Sequence, residues 1–240
     1  MAKPLGGAGL LQFGFIHLGD FSMKNNTFWK ILTIVELIAA AAIILLDVLI
    51  PTLLILGLII ISLLIRREHI RSLGFKRPQS WPKMLGFVFL SVVFLQLFDI
   101  GVTVPILNRL TGKTIDYSGF AHLQGNLGQL ALLLVISWTL AALGEEMVYR
   151  GYLQKLLTDL FGSGLPGILL TVGVSSLLFG LAHTEQGLVG VVVATFDALF
   201  FSWLKYKFEN NLWASILAHG FYNSIGVIIF YFTGPIYGLW

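Results

Sequence analysis

Of 240 residues, 57% are hydrophobic and only 11% are charged, with a mean hydropathy of +0.87, whereas a soluble domain carries roughly 25% charge. So little polar surface cannot dress a water-facing exterior, so the bilayer has to be the solvent and no large soluble domain fits beside the spans. The net charge of +3 comes from basic residues set between apolar runs, where they act as topology determinants rather than as a nucleic-acid surface; the absence of cysteine excludes disulfides, thiolate metal sites and cysteine nucleophiles.

The N-terminal stretch Met1 to Asp20 is glycine-rich and mildly apolar, and it lacks the basic n-region, long h-region and cleavage site of a signal peptide. Seven apolar runs follow. They are Trp29–Leu46 and Val48–Ile65, divided by Asp47 and interrupted again at Pro51; Pro82–Thr103, after the basic stretch from Arg66 to Arg77; a run from Asn126 through Leu143 into Glu145; then Pro166–His183, Leu188–Leu204 and Leu212–Phe232. Residues 104–125 form the longest polar connection, and Gly162 to Pro166 and Asn210-Asn211 read as turns. With ~20 residues per span, the expectation is an all-α polytopic transmembrane bundle of about seven helices, within a range of six to eight. It divides into N-terminal helices and loops (1–125) and a C-terminal helical core (126–240).

With the N-terminus cytoplasmic, thirteen of the fifteen basic residues fall inside and only Arg109 and Lys113 fall outside. The positive-inside rule therefore predicts a multi-pass protein of the cell membrane with the N-terminus in and the C-terminus out.

An ionisable group at mid-bilayer costs ~2.5–3.5 kcal/mol on insertion scales, so each one is a functional hypothesis by default. Glu36, Asp47, Asp99 and Asp197 stand singly in or beside apolar runs, where an interfacial position or an interhelical hydrogen bond accounts for each; Asp197 lies deepest. Three clusters are different. In Glu145-Glu146-Met147-Val148-Tyr149-Arg150-Gly151, adjacent carboxylates sit about 100° apart on a helix. Arg150 stands four residues after Glu146, the favourable order for an ion pair. Glu145 is left without a local counter-charge, as suits a general base; the structural alternative is an ion-pair knot at a helix end. Phe179-Gly180-Leu181-Ala182-His183 and His219-Gly220-Phe221-Tyr222-Asn223 each place a histidine among small neighbours that permit close helix approach. His219 and Asn223, four apart, share one helical face. Glu145 and His183 lie equally far from the turn at Gly164 and so meet at one depth if both arms are continuous. His219 looks shallower, which calls for either a break at Gly151 or strong helix tilt.

These clusters, in this order on successive helices, resemble the CPBP family (CAAX proteases and bacteriocin-processing enzymes), the group of the type II CAAX prenyl endopeptidase, also called Abi proteins. The family pattern is Glu-Glu-x-x-x-Arg, Phe-x-x-x-His and His-x-x-x-Asn, found here at Glu145-Glu146 with Arg150, Phe179 with His183, and His219 with Asn223. Tyr149 stands where the extended first motif commonly has Phe. The likeness covers roughly residues 126–232. It implies an intramembrane endopeptidase in which Glu145 and His183 activate water and His219 and Asn223 stabilise the oxyanion, with Glu146 and Arg150 in support. Such chemistry needs a base, a water and preorganised donors.

The family is also described as metalloproteases, and Glu145, His183 and His219 would make a His₂Glu zinc set with an open position. No His-Glu-x-x-His run accompanies them, so no cofactor is required by the motifs, and glutamate-driven and zinc-bound water both stand. The implied partner is a membrane protein or peptide substrate within the lipid bilayer. A non-catalytic immunity or scaffold protein of the same fold, or a transporter, are the competing readings. Retention of all six polar motif positions argues against the first, and the lack of an internal repeat against the second.

Overall fold

The computed structural model describes residues 27–240, so the N-terminal stretch, its expected lack of a signal peptide, and Lys3 and Lys24 lie outside the described residues. Every regular element described is helical. Helix α1 (Thr27–Leu45) turns through left-handed Asp47 and Leu49 into α2 (Pro51–Arg66), whose leading proline gives up an amide that no helical carbonyl would have met. Then come α3 (Trp81–Thr111), α4 (Leu127–Phe161), α5 (Leu165–Leu181), α6 (Gly187–Lys207) and α7 (Leu212–Thr233). The asparagines that open two of the predicted runs are caps: Asn126 accepts from the Gln129 amide at 3.2 Å and Asn211 from the Trp213 amide at 3.1 Å.

Five of these segments are long and apolar enough to cross a membrane, while α2 and α5 are apolar but shorter. At 16 and 17 residues they reach about 24–26 Å, a little less than the ~30 Å hydrocarbon core. Large side chains such as Leu64 (72% exposed) and Leu90 (69%) point outward, the reverse of a water-soluble surface. The chain is a multi-pass, all-α membrane protein.

Two interior layers hold the bundle. Ala40, Ile44, Ile55 and Ile59 of α1 and α2 pack on Tyr149, Tyr152 and Leu153 of α4. Met84, Val88 and Val92 of α3 pack on Phe201, Leu204, Ala214 and Ala218 of α6 and α7. The small residues beside the histidines act as the sequence suggests. A Cβ on Gly180 would lie 1.9 Å from Thr195 Oγ1, which fixes the α5–α6 approach, and one on Gly220 would strike the Trp138 ring at 2.5 Å.

At one end of the bundle, Lys76 Nζ donates to the Glu209 carbonyl (2.7 Å), the Leu212 amide to the Gly74 carbonyl (2.8 Å), and Lys155 pairs with Glu68 (3.1 Å). At the other end, the Asp116 amide meets the Gln186 carbonyl and the Gly125 amide meets Tyr231. The basic loops thus share one end. Two of the thirteen charges that suggested an orientation, however, are not loop charges. Arg150 is fully buried within α4 and Lys205 is buried in α6, so neither reports a side.

Helix α4 runs through Gly151 without a break, which removes one of the two ways of reconciling the depth of His219. That glycine instead lets the turn at Ile70–Leu73 lie against α4, where a Cβ would meet Leu73 at 3.3 Å. What α4 does contain is π-helix, over Ser137–Glu145 and Met147–Leu153, and α3 has a shorter π-turn over Asp99–Thr103. In these stretches an amide reaches one residue further back and bypasses its α-helical acceptor. Gln154 N–H bonds to Tyr149 and Gly151 rather than to the Arg150 carbonyl, which receives Lys205 Nζ. Val104 N–H bonds to Asp99 rather than to Ile100, whose carbonyl accepts from Leu239 at 3.1 Å.

Candidate active site

A cavity of about 410 Å³ opens among α3, α4, α5, α6 and α7. Glu145 of α4, His183 just past the end of α5, and His219 and Asn223 of α7 all line it, while Glu146 and Arg150 do not. The order of the motifs along the chain therefore becomes convergence in space, and the two glutamates part company.

Glu145 faces the cavity, and its Oε2 is buried with no hydrogen-bond partner. Both histidines are close enough to interact with its charge. Glu146, one residue on, points the other way and is fully buried. Its Oε1 lies 2.9 Å from Arg150 Nη1 and 2.9 Å from His219 Nδ1. The four-residue pair with Arg150 was legible in the sequence; the link to His219, 73 residues away, was not.

His183 lies two residues past the end of α5, and its Nδ1 is 2.8 Å from the Phe179 carbonyl. A carbonyl can only accept, so Nδ1 carries the proton and Nε2 is the nitrogen left for the cavity. The Phe-x-x-x-His spacing is thus the spacing of a side chain to the carbonyl one helical turn back. Likewise His219 Nδ1 donates to the Glu146 carboxylate, which fixes the orientation of the ring. The Phe179 ring lies 4.6 Å from the His183 ring and 5.7 Å from His219, and Phe201 stacks on His219 at 5.4 Å. Arg150 is held behind these rings, 4.3 Å from the Phe179 centroid, and its guanidinium never reaches the cavity.

The zinc reading asks Glu145, His183 and His219 to converge on one point. Among the described residues no group of three or more His, Cys, Asp or Glu side chains is arranged to hold a metal ion. The three share a cavity but do not form a ready ligand set.

The cavity also gathers residues that the motif reading passed over. Tyr222, inside the third motif, donates to Asp99 Oδ2 at 3.0 Å, and Asp197 interacts with both. The two aspartates that looked incidental in separate runs are neighbours. Nearer the end that carries Asp116 and Gln186 stands Tyr117, whose hydroxyl faces the Ile236 carbonyl at 3.5 Å. Burial pushes its phenol up to about 12, so it remains a neutral donor near pH 7.

Comparison with known proteins falls on this same part of the chain. Residues 127–225 match the model of the Rce1-like type II CAAX prenyl endopeptidases. A protein of Mycoplasma capricolum subsp. capricolum, described as uncharacterized, is 34% identical over 101 residues, which make up 42% of this chain and 28% of that protein. This chain therefore spans little more than a quarter of that relative's length. No solved structure matches it.

Proposed function

We propose, from the premise that residues 127–225 belong to the Rce1-like type II CAAX prenyl endopeptidase family, that this chain is an intramembrane endopeptidase hydrolysing a membrane peptide or protein in the cavity. The observation that carries the reading is the convergence of Glu145, His183, His219 and Asn223 on one 410 Å³ space.

Glu145 has an unpartnered oxygen toward that space and serves as the base. It takes a proton from a water that His183 Nε2 orients, and the hydroxide adds to the scissile carbonyl. The negative charge that develops on the carbonyl oxygen is met by Asn223 Nδ2–H and by His219 Nε2–H. Such donors are worth roughly 2.7–4 kcal/mol each. His219 donates from Nε2 while also donating from Nδ1 only as an imidazolium, and the Glu146 carboxylate on Nδ1 stabilises that form. The C–N bond then breaks as the proton held by Glu145 passes to the leaving amine, so that water is divided between the two products. No step here passes through a metal, because the three candidate ligands do not fit one.

In a purified preparation given a membrane-spanning peptide, Glu145→Gln is expected to lower the rate by at least ~10²–10⁴-fold, with its unfolding temperature unchanged or raised. Full activity in that variant would overturn the assignment. Bound zinc at one per chain in the wild type, lost in Glu145→Gln, would replace the glutamate mechanism with the metal one.

The same reading places the protein in the cell membrane with the basic end of the bundle in the cytoplasm. A reporter joined after Trp240 should be active only on the outer side, and cytoplasmic activity would reverse the orientation.

A further inference from the structure

Apart from its two histidines, the ionisable groups that line the cavity are acidic. Glu145, Glu185 and Asp197 are on its wall, with no lysine or arginine among the lining residues. Arg150, the basic group nearest in sequence to the catalytic glutamate, is held behind Phe179 and Phe201 and paired with Glu146. Lys205 is occupied by the Arg150 carbonyl and by Gln154 Oε1 at 3.1 Å. Among the described residues no lysine or arginine reaches the cavity, and the positive charge there is that of the His219 imidazolium, already held by Glu146.

Asp197 is the group this leaves exposed to consequence. It sits midway along α6, one turn before Phe201, which stacks on His219, and it is 5% accessible. Its Oδ1 is buried, lines the cavity and has no hydrogen-bond partner. Asp99 stands behind it, tied to Tyr222, and interacts with Asp197 in one carboxyl–tyrosine cluster that leaves Asp197 Oδ1 without a partner. A buried acceptor without a partner costs free energy that a bound donor recovers. Neighbouring carboxylates in a low-dielectric wall attract a cation more strongly than they would in water. Tyr222 precedes Asn223 on α7, which sets this acidic pocket next to the donors assigned to the oxyanion.

We propose that Asp197, backed by Asp99, is a substrate subsite that binds a basic side chain, the ammonium of lysine or the guanidinium of arginine, close to the scissile bond. The proposal rests on the endopeptidase reading and narrows it: the preferred substrate is an apolar membrane segment interrupted by one positive charge. Such a residue is itself poorly accommodated by lipid, so its transfer to a carboxylate-lined cavity also draws the peptide out of the bilayer.

The test uses the full chain in lipid nanodiscs and one set of apolar peptides that carry, at successive positions, lysine, its acetylated form, leucine or glutamate. Acetylation keeps the lysine stem, adds a small acetyl group and removes the charge, so the change between wild type and Asp197→Asn in the ratio of kcat/KM for the lysine peptide to its acetylated twin reports the charge. We expect a ratio of ten or more at one position in the wild type, and a ratio near one in Asp197→Asn. Asp99→Asn, which leaves Asp197 in place, should give an intermediate ratio and serves if the first variant fails to fold. Peptide affinity for Glu145→Gln, measured by fluorescence anisotropy, reports the same ratio without turnover. A charge preference in binding with no cleavage by the wild type would sink the endopeptidase and leave the subsite standing. Cleavage with equal rates for lysine and acetyl-lysine at every position, or a preference unchanged in both aspartate variants, would sink the subsite and leave the endopeptidase.

Discussion

Two buried glutamate–arginine pairs occupy the bundle, and they are built to opposite plans. In the α1–α2 hairpin, Arg66 pairs with Glu36 and also donates to Thr33 Oγ1 (3.0 Å) and Ser62 Oγ (3.2 Å). Its polar needs are met within the hairpin, and none of these groups lines the cavity. In α4, Arg150 has one close carboxylate, aromatic faces around it and guanidinium nitrogens without well-formed hydrogen bonds. The oxygen it pairs with is shared with His219. A pair whose hydrogen bonds close on themselves fastens two helices. A pair left under-bonded, with its anion shared by a ring on the cavity wall, couples helix packing to the state of that ring.

The comparison breaks most readily at the α4 pair. Removing one partner from a buried ion pair costs about 3–5 kcal/mol, because the other charge is left uncompensated. Glu146→Gln and Arg150→Ala should each lower thermal stability by an amount in that range. Glu146→Gln should in addition lose activity per folded molecule, because His219 loses the anion that supports its imidazolium form. Thermal unfolding and cleavage assayed on the same samples separate the two effects. Unimpaired turnover by the folded fraction of Glu146→Gln would make this pair a fastener like the other. Glu36→Gln gives the smaller effect. Arg66 keeps Thr33 and Ser62, so the loss should be nearer the ~1–3 kcal/mol of an unsatisfied buried group. Activity per folded molecule should be unchanged, and a drop there would tie the hairpin to the site.

Much of this plan was legible in the sequence. Asn126, Pro51, the Gly162 turn and Asn211 locate helix starts to within a residue or two, because caps and breakers act locally, whereas α3 runs on to Thr111 through the expected 104–125 connection and α4 runs on to Phe161, past the apolar run that ended at Glu145. The two histidines and Asn223 could be assigned to one cavity from spacing and small neighbours. The partners of Glu146 divide at the limit of that reasoning: Arg150 is one helical turn away and was expected, whereas His219 is on another helix and no periodicity points to it. The same limit hid the meeting of Asp99, Asp197 and Tyr222. The π-helical stretches were not legible either, since bypassed carbonyls are made tolerable by donors as distant as Lys205 and Leu239.

Those stretches make α4 a rod that holds more residues per turn than an ordinary helix would, and so it has a register that can be lost. An α-helix advances about 100° per residue, and a π-helical insertion absorbs one residue without changing the direction of the chain. If Ser137–Glu145 relaxed into regular α-helix with its residue count unchanged, its two halves would rotate against each other by about that angle. Trp138, hydrogen-bonded to Ser224 at 3.0 Å and seated on Gly220, could then no longer keep its place on α7 while Glu145 kept its own in the cavity. Deleting one residue between Trp138 and Glu145 should therefore give a regular helix with both contacts still in phase and retained cleavage, whereas one extra residue there should abolish cleavage while helicity by circular dichroism is kept. The irregularity of α4 is therefore a phasing device. It sets the rotational offset between the part of the helix that grips α7 and the part that presents the glutamates.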